Sequence, residues 1–118
     1  MEEIRAMTLL VPDPSEAAKA LARVFDWEVE ADFGSFTSVL QGDGIPIWMN
    51  VPYGEPATSG LVLHIATEDV DRSFARAVSC GAESRRDPQD MDYGERSAYV
   101  VLEELPGITF DFSRPLGG

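Results

Sequence analysis

Cysteine and histidine each occur once in the 118 residues, as Cys80 and His64. A lone cysteine cannot close an intrachain disulfide, so nothing demands an oxidising compartment. A lone histidine excludes a His-rich metal centre. No apolar run approaches the roughly 20 residues needed to cross a bilayer. The first residues, Met-Glu-Glu-Ile-Arg, show no basic segment leading into an apolar run. No secretory signal is therefore expected, and the cytoplasm is the expected location. Basic residues are scarce, with 9 Lys and Arg against 21 Asp and Glu and a formal net charge of −12. Such a surface repels phosphate backbones and anionic lipid, which argues against nucleic acid and membrane as partners. It either welcomes cationic small molecules or simply keeps the protein in solution. The sequence also lacks a Gly-rich phosphate loop, a Cys-x-x-Cys pair and a G-x-S-x-G elbow. Cys80 falls at an expected helix C-terminus, where the helix dipole disfavours a thiolate nucleophile.

What is present is ordinary for a soluble domain with one core: 44% hydrophobic and 25% charged residues. The most informative stretch is Gly107-Ile-Thr-Phe-Asp-Phe-Ser-Arg-Pro-Leu-Gly117. Ile108, Phe110 and Phe112 alternate with Thr109, Asp111 and Ser113, the pattern of a strand with two unlike faces. Gly44-Ile-Pro-Ile-Trp-Met-Asn-Val-Pro-Tyr-Gly54 repeats it, with Gly, Ile, Pro and Gly coinciding at four of eleven positions. The rows Ile45/Ile47/Met49 and Ile108/Phe110/Phe112 keep step. Two copies of one structural unit are implied.

The rest of the chain fits a duplication. Residues 4–11 read as a strand, with Met7, Leu9 and Val11 on one face and Ala6, Thr8 and Leu10 on the other. Asp13 is placed to cap a helix that Pro14 opens, and Ala17, Leu21, Val24 and Phe25 form its expected buried stripe. Trp27–Phe33 and Phe36–Gln41 read as a hairpin. In the second half Gly60–Thr67 is a strand, with Val62, His64 and Ala66 on one face. A helix follows, with Val70, Phe74, Ala77 and Val78 as its stripe and Gly81 as its stop. Ala82–Arg86 reads as a short strand, Asp87–Asp92 as a polar loop containing Pro88, and Glu95–Leu102 as a strand. Each half thus runs strand, helix, strand, strand, strand. The expected fold is α+β, a single domain of two βαβββ modules (1–54 and 60–118, linker 55–59) sharing one sheet system, because neither half buries enough alone. With the apolar rows under the helices, the opposite rows face a concave space: Ala6, Thr8, Leu10, Trp48, Asn50, Val62, His64, Asp111 and Ser113.

The second half resembles the vicinal oxygen chelate superfamily of glyoxalases, fosfomycin-resistance enzymes, extradiol dioxygenases and bleomycin-resistance proteins. The resemblance is carried by His64-Ile-Ala-Thr-Glu-Asp-Val-Asp71, Ala77-Val-Ser-Cys-Gly-Ala-Glu83, Tyr93-Gly-Glu-Arg96, Pro106-Gly107 and Asp111-Phe112. In the first half Leu9-Leu-Val-Pro-Asp13 and Phe25-Asp-Trp27 carry it more faintly. It implies paired modules forming an open barrel or cleft, and homodimers are common among members. It also implies metal ligands, one on each of strands 1, 4, 5 and 8, which map to Ala6, Trp48, Val62 and Asp111. Of these only Asp111 can bind an ion. A site shifted to His64 and Asp111 would offer two protein ligands, few for tight binding. No metal or other cofactor is therefore expected.

Three functional readings stay open, the last of them a module with no ligand that serves as an oligomerising partner. In the first, the protein binds a small aromatic or cationic molecule, an antibiotic among them, without a metal. Trp48 supplies a stacking wall, with Asn50, Thr8, Val62, Ser113 and Arg96 as further contacts. In the second, it is a lyase, isomerase or oxygenase in which Asp111 orients His64 as a ligand-contacting cation or general base. His64 as a hydrogen-bonded half-buried histidine, Trp48 as plain packing and Asp111 as a structural acid are the simpler roles for the same residues.

Overall fold

The computed structural model describes residues 2–52 and 60–117, so the expected linker at 55–59 lies outside the described residues. In chain order the elements are β1 (Glu3–Leu10), α1 (Pro14–Phe25), β2 (Glu28–Asp32), β3 (Phe36–Leu40), β4 (Ile47–Asn50), β5 (Gly60–Ala66), α2 (Val70–Ser79), β6 (Glu83–Asp90), β7 (Glu95–Val101) and β8 (Ile108–Pro115). The class is α+β, and the order is βαβββ twice over. The chain divides into two compact units, Ala6–Val62 and Leu63–Gly118 together with Met1–Arg5.

In the first unit the strands lie in the order β2-β3-β4-β1. β1 and β4 are parallel, with Met7 opposite Ile47, Thr8 opposite Trp48 and Leu10 opposite Asn50. The other two pairings are antiparallel. α1 starts where the sequence places it. Asp13 accepts the backbone N–H of Glu16 at 3.1 Å, and Pro14 occupies the first turn, where its missing N–H costs nothing. Its inner face packs Ala18 against Val39 and Met49, with Leu9, Val11, Ala17, Leu21 and Trp27 around them. The expected stripe is corrected at its end: Val24 and Phe25 are 64% and 54% exposed. They belong to the last turn, and Phe25 stacks on Trp27 at 4.7 Å between ring centroids instead of entering the core.

In the second unit the order is β5-β8-β7-β6, with β7 antiparallel to both β8 and β6. Asp69 caps α2 through the N–H of Arg72. Gly81, at φ 114°, ends the helix in a conformation that a Cβ would strain. Val70 is buried at its start, whereas Val78, expected inside, is exposed near its end. β6 departs from the sequence reading more clearly: it continues through Pro88 to Asp90, where a loop was expected. β6 lies at the end of this unit's strand order and its pairing with β7 shifts register between Arg86 and Gln89. A proline without an N–H is tolerated at such an edge and irregularity.

Met49 has no exposed surface and meets Ala18 and Val39 directly. Met49→Ala is expected to lower stability by about 2–5 kcal/mol in urea or guanidinium unfolding, the range for truncating a buried aliphatic side chain. A loss under about 1 kcal/mol would show that this core is not closed as described.

Candidate functional site

β7 and β8 sort their side chains by parity. Ser97 lies opposite Ser113, Tyr99 opposite Asp111, and Ala98 opposite Phe112. Residues paired in this way share a face. Ala98, Val100 and Phe112 therefore lie on the side of α2, which packs on β6, β7 and β8. Ser97, Tyr99, Asp111 and Ser113 lie on the other side.

On that other side a hydrogen-bonded chain crosses all four strands of the unit. His64 of β5 brings Nδ1 to 2.7 Å from Oδ2 of Asp111 on β8. The hydroxyl of Ser97 on β7 donates to Oδ1 of Asp111 at 2.6 Å. Arg86 of β6 donates Nη1–H to the Ser97 oxygen at 3.0 Å and lies 3.8 Å above the ring centroid of Tyr99. Both carboxylate oxygens of Asp111 are thus engaged. With a carboxylate opposite it, Nδ1 is the imidazole nitrogen that carries a proton, which fixes the ring's orientation. Beside this chain, Arg5 donates Nη2–H to Ser113 at 2.9 Å and pairs with Glu95 at 2.9 Å.

This face was expected to line an open space; instead its polar members are closed in. Asp111 is 2% exposed, Ser113 1% and His64 8%, while Phe110 and Phe112 on the helix side are only half-buried. That burial is tolerated because, among the described residues, no buried side-chain nitrogen or oxygen lacks a partner. Buried polar groups are stable in that condition and costly outside it.

The turn between β6 and β7 brings in Tyr93. Gly94 takes φ 92°, and its N–H closes the turn on the Met91 carbonyl. Partial burial holds the Tyr93 phenol above the ordinary 10.0, with Asp111 and Tyr99 pushing the same way and Ser97 and Arg86 opposing them. The phenol is therefore a neutral donor through the physiological range.

The residues singled out from the sequence are distributed unevenly. His64, Asp111 and Ser113 share one face of the second unit. Thr8, Trp48, Asn50 and Val62 belong to the first unit. There Trp48 is half-buried between Thr8 on β1 and Ser38 on β3, with the Phe36 ring tilted against it at 6.2 Å. Ser38 in turn donates to Glu30 at 2.8 Å. Arg96 is held away from His64 and Asp111. It lies on the α2 side of β7, where Asp71 of α2 binds it at 2.7 Å and Asp90 at 2.9 Å. That guanidinium holds the Asp71 carboxyl below the ordinary 3.8. Arg5, Arg86, Ser97 and Tyr99 were not singled out. Alternation along Glu95-Arg-Ser-Ala-Tyr99 was a usable signal for Ser97 and Tyr99. Alternation puts Arg5 with Met7 and Leu9, which is not where its bonds go.

A divalent ion does not suit this donor set. Of the implied ligand positions, Ala6 and Val62 are buried hydrocarbon and Trp48 carries an indole. Asp111 already serves Ser97 and His64. Among the described residues no group of three or more His, Cys, Asp or Glu is disposed to hold an ion. Nor, among them, is any helix long and apolar enough to cross a membrane.

Residues 6–112 match the model of a glyoxalase-like domain. No curated protein matches the chain. Solved structures share its fold. A protein of the glyoxalase/bleomycin resistance protein/dioxygenase superfamily from Vibrio splendidus 12B01 superposes with a TM-score of 0.68 at 14% identity, covering 98% of this chain and 100% of that one. Methylmalonyl-CoA epimerase from Streptomyces coelicolor gives 0.67 at 15% identity, covering 97% of each. A Legionella pneumophila structure described as an NAD-dependent benzaldehyde dehydrogenase gives 0.74 at 14%, covering 92% of this chain and 96% of that one. Identities this low carry the fold and not the reaction.

The raised pKa of Tyr93 has a signed consequence. The fold favours the neutral phenol, so its contribution to stability is complete below 10 and is lost as pH rises through the raised value. In ultraviolet titration, Tyr93→Phe is expected to remove a tyrosinate component titrating above 10.0. Loss of a component at or below that value instead would place the phenol in water.

Proposed function

The chain belongs to the glyoxalase-like domain family, and on that footing we propose that it binds a small aromatic molecule without a metal ion. The observation that carries this reading is the state of Asp111. It is the one ligand-capable residue among the four implied positions, and its two oxygens are given to Ser97 and His64. A site built on it offers hydrogen bonds and a positioned imidazole. In the first unit Trp48, flanked by Thr8 and Ser38, offers a stacking surface, with Asn50 two residues further along the same strand and Val62 on β5 as further contacts. The bleomycin-resistance branch of the superfamily makes antibiotic sequestration the activity to test first. The net charge of −12 favours compounds that also carry a positive group. Homodimeric assembly in the cytoplasm belongs to the same reading.

A second reading is favoured by one contact, the 2.7 Å pairing of His64 with Asp111. A carboxylate-oriented imidazole is suited to moving a proton, so a metal-free lyase or isomerase step is the alternative. His64→Ala separates the two: loss of turnover with retained affinity supports acid–base work, and loss of affinity alone supports binding.

Purified protein is expected to contain divalent metal well below one equivalent by elemental analysis. Its tryptophan fluorescence is expected to quench with a subset of an aromatic compound and antibiotic panel, and Trp48→Phe to abolish that response while Trp27→Phe retains it. Light scattering on the same sample reads the assembly state. Stoichiometric metal, or quenching that survives Trp48→Phe, would contradict the proposal.

A further inference from the structure

Three arginines of the second unit are half-buried: Arg5, Arg86 and Arg96. Two of them meet carboxylates, Arg5 at Glu95 and Arg96 at Asp71 and Asp90. Arg86 meets none among the described residues. Its contacts are the Ser97 oxygen and the face of the Tyr99 ring. Asp111 reaches it only through the Ser97 hydroxyl. Arginine is rarely withdrawn from water without a negative partner, because desolvating a charge is costly. The contrast is sharper in a chain with 21 acidic residues against 9 basic ones.

The guanidinium is also held in a defined pose. The Tyr99 ring 3.8 Å below keeps it flat, and the bond from Nη1 to Ser97 fixes its rotation over the ring. With Nη1 committed, the edge formed by Nε and Nη2 presents two parallel N–H groups. That spacing matches the two oxygens of a carboxylate. The acidic surface repels anions at large, so a locally fixed cation is what an anion-binding subsite in this chain requires.

We propose that the Nε–Nη2 edge of Arg86 receives a carboxylate of the ligand, which makes the compound an aromatic carboxylic acid. This rests on the small-molecule-binding reading and keeps its aromatic ring, while replacing the positive group that net charge alone favours with a carboxylate. Tyr99 and Ser97 are the positioning residues, and Arg86 sets the preference for a planar two-oxygen anion.

Benzoate and benzamide share a ring and differ in charge, so they serve as probes. Each is titrated into the full chain while amide shifts at Ser97 and Tyr99 are followed by NMR, with inorganic phosphate alongside. The wild type is expected to prefer benzoate over benzamide by roughly tenfold or more, the usual range for a charge-assisted bidentate pair. Arg86→Gln is expected to erase the preference, and Arg86→Lys to retain part of it, since the charge persists and the fork does not. Thermal unfolding verifies that both variants are folded. Equal affinity for the two probes, or a preference surviving in Arg86→Gln, overturns the carboxylate assignment and leaves aromatic binding standing. Phosphate binding as tightly as benzoate through Arg86 overturns it in favour of tetrahedral oxyanions. Absence of shifts with every probe overturns it as well, and the fluorescence screen then decides the broader reading separately.

Discussion

The second unit depends on a carboxylate kept out of water. Asp111 is 2% exposed, and a buried carboxylate is tolerable only with strong partners on its oxygens. It has them: the imidazole of His64 on one oxygen and the hydroxyl of Ser97 on the other. Removing one partner from such a pair typically costs about 3–5 kcal/mol, because the charge that remains stays buried. The constraint propagates in both directions. Toward β5 it fixes the face of the histidine; toward β6 it fixes Ser97, which holds Arg86, which lies over Tyr99. The side-chain ladder follows the strand order β5-β8-β7-β6, so the sheet's hydrogen bonds on one side are doubled by side-chain bonds across it.

The two faces of this unit divide the labour. Odd positions on β7 (Glu95, Ser97 and Tyr99) serve the polar network, while Ala98 and Val100 pack on the α2 side. Arg96 is the exception on the helix side, and it is neutralised there by Asp71 and Asp90. The arrangement ties the first turn of α2 to β7 and to the end of β6. Charge on that side is used for structure. On the opposite side Arg86 meets no carboxylate among the described residues, and that is where the proposed ligand chemistry is placed.

Much of the architecture was legible because it rests on local patterns. The alternation in Gly107–Gly117 put Asp111 and Ser113 on one face, and the repeat of that stretch placed Trp48 and Asn50 correspondingly. Asp13 marked a helix start through its own hydrogen-bond chemistry, and Pro14 through its fixed backbone angle. What escaped had non-local causes. The register shifts between Ser84 and Arg86 and again before Gln89, so counting along β6 loses the parity that would have set Arg86 beside Ser97. Pro88 suggested a loop because the sequence does not say which strand lies at an edge. Phe25 and Val78 kept helical spacing yet sit in final turns, and spacing does not report where a helix passes the end of its sheet. Arg5 forms long-range bonds to Ser113 and Glu95 that no count along β1 contains.

The account stands or falls on the His64–Asp111 contact, and the chain carries its own probe. With one histidine in 118 residues, a spectrum of protein labelled with 15N-histidine reports His64 alone. Long-range 1H–15N correlation at neutral pH is expected to show Nδ1 protonated and hydrogen-bonded, and Asp111→Asn to shift both ring nitrogens. A histidine with the tautomer balance of a free imidazole, unmoved by Asp111→Asn, would contradict it.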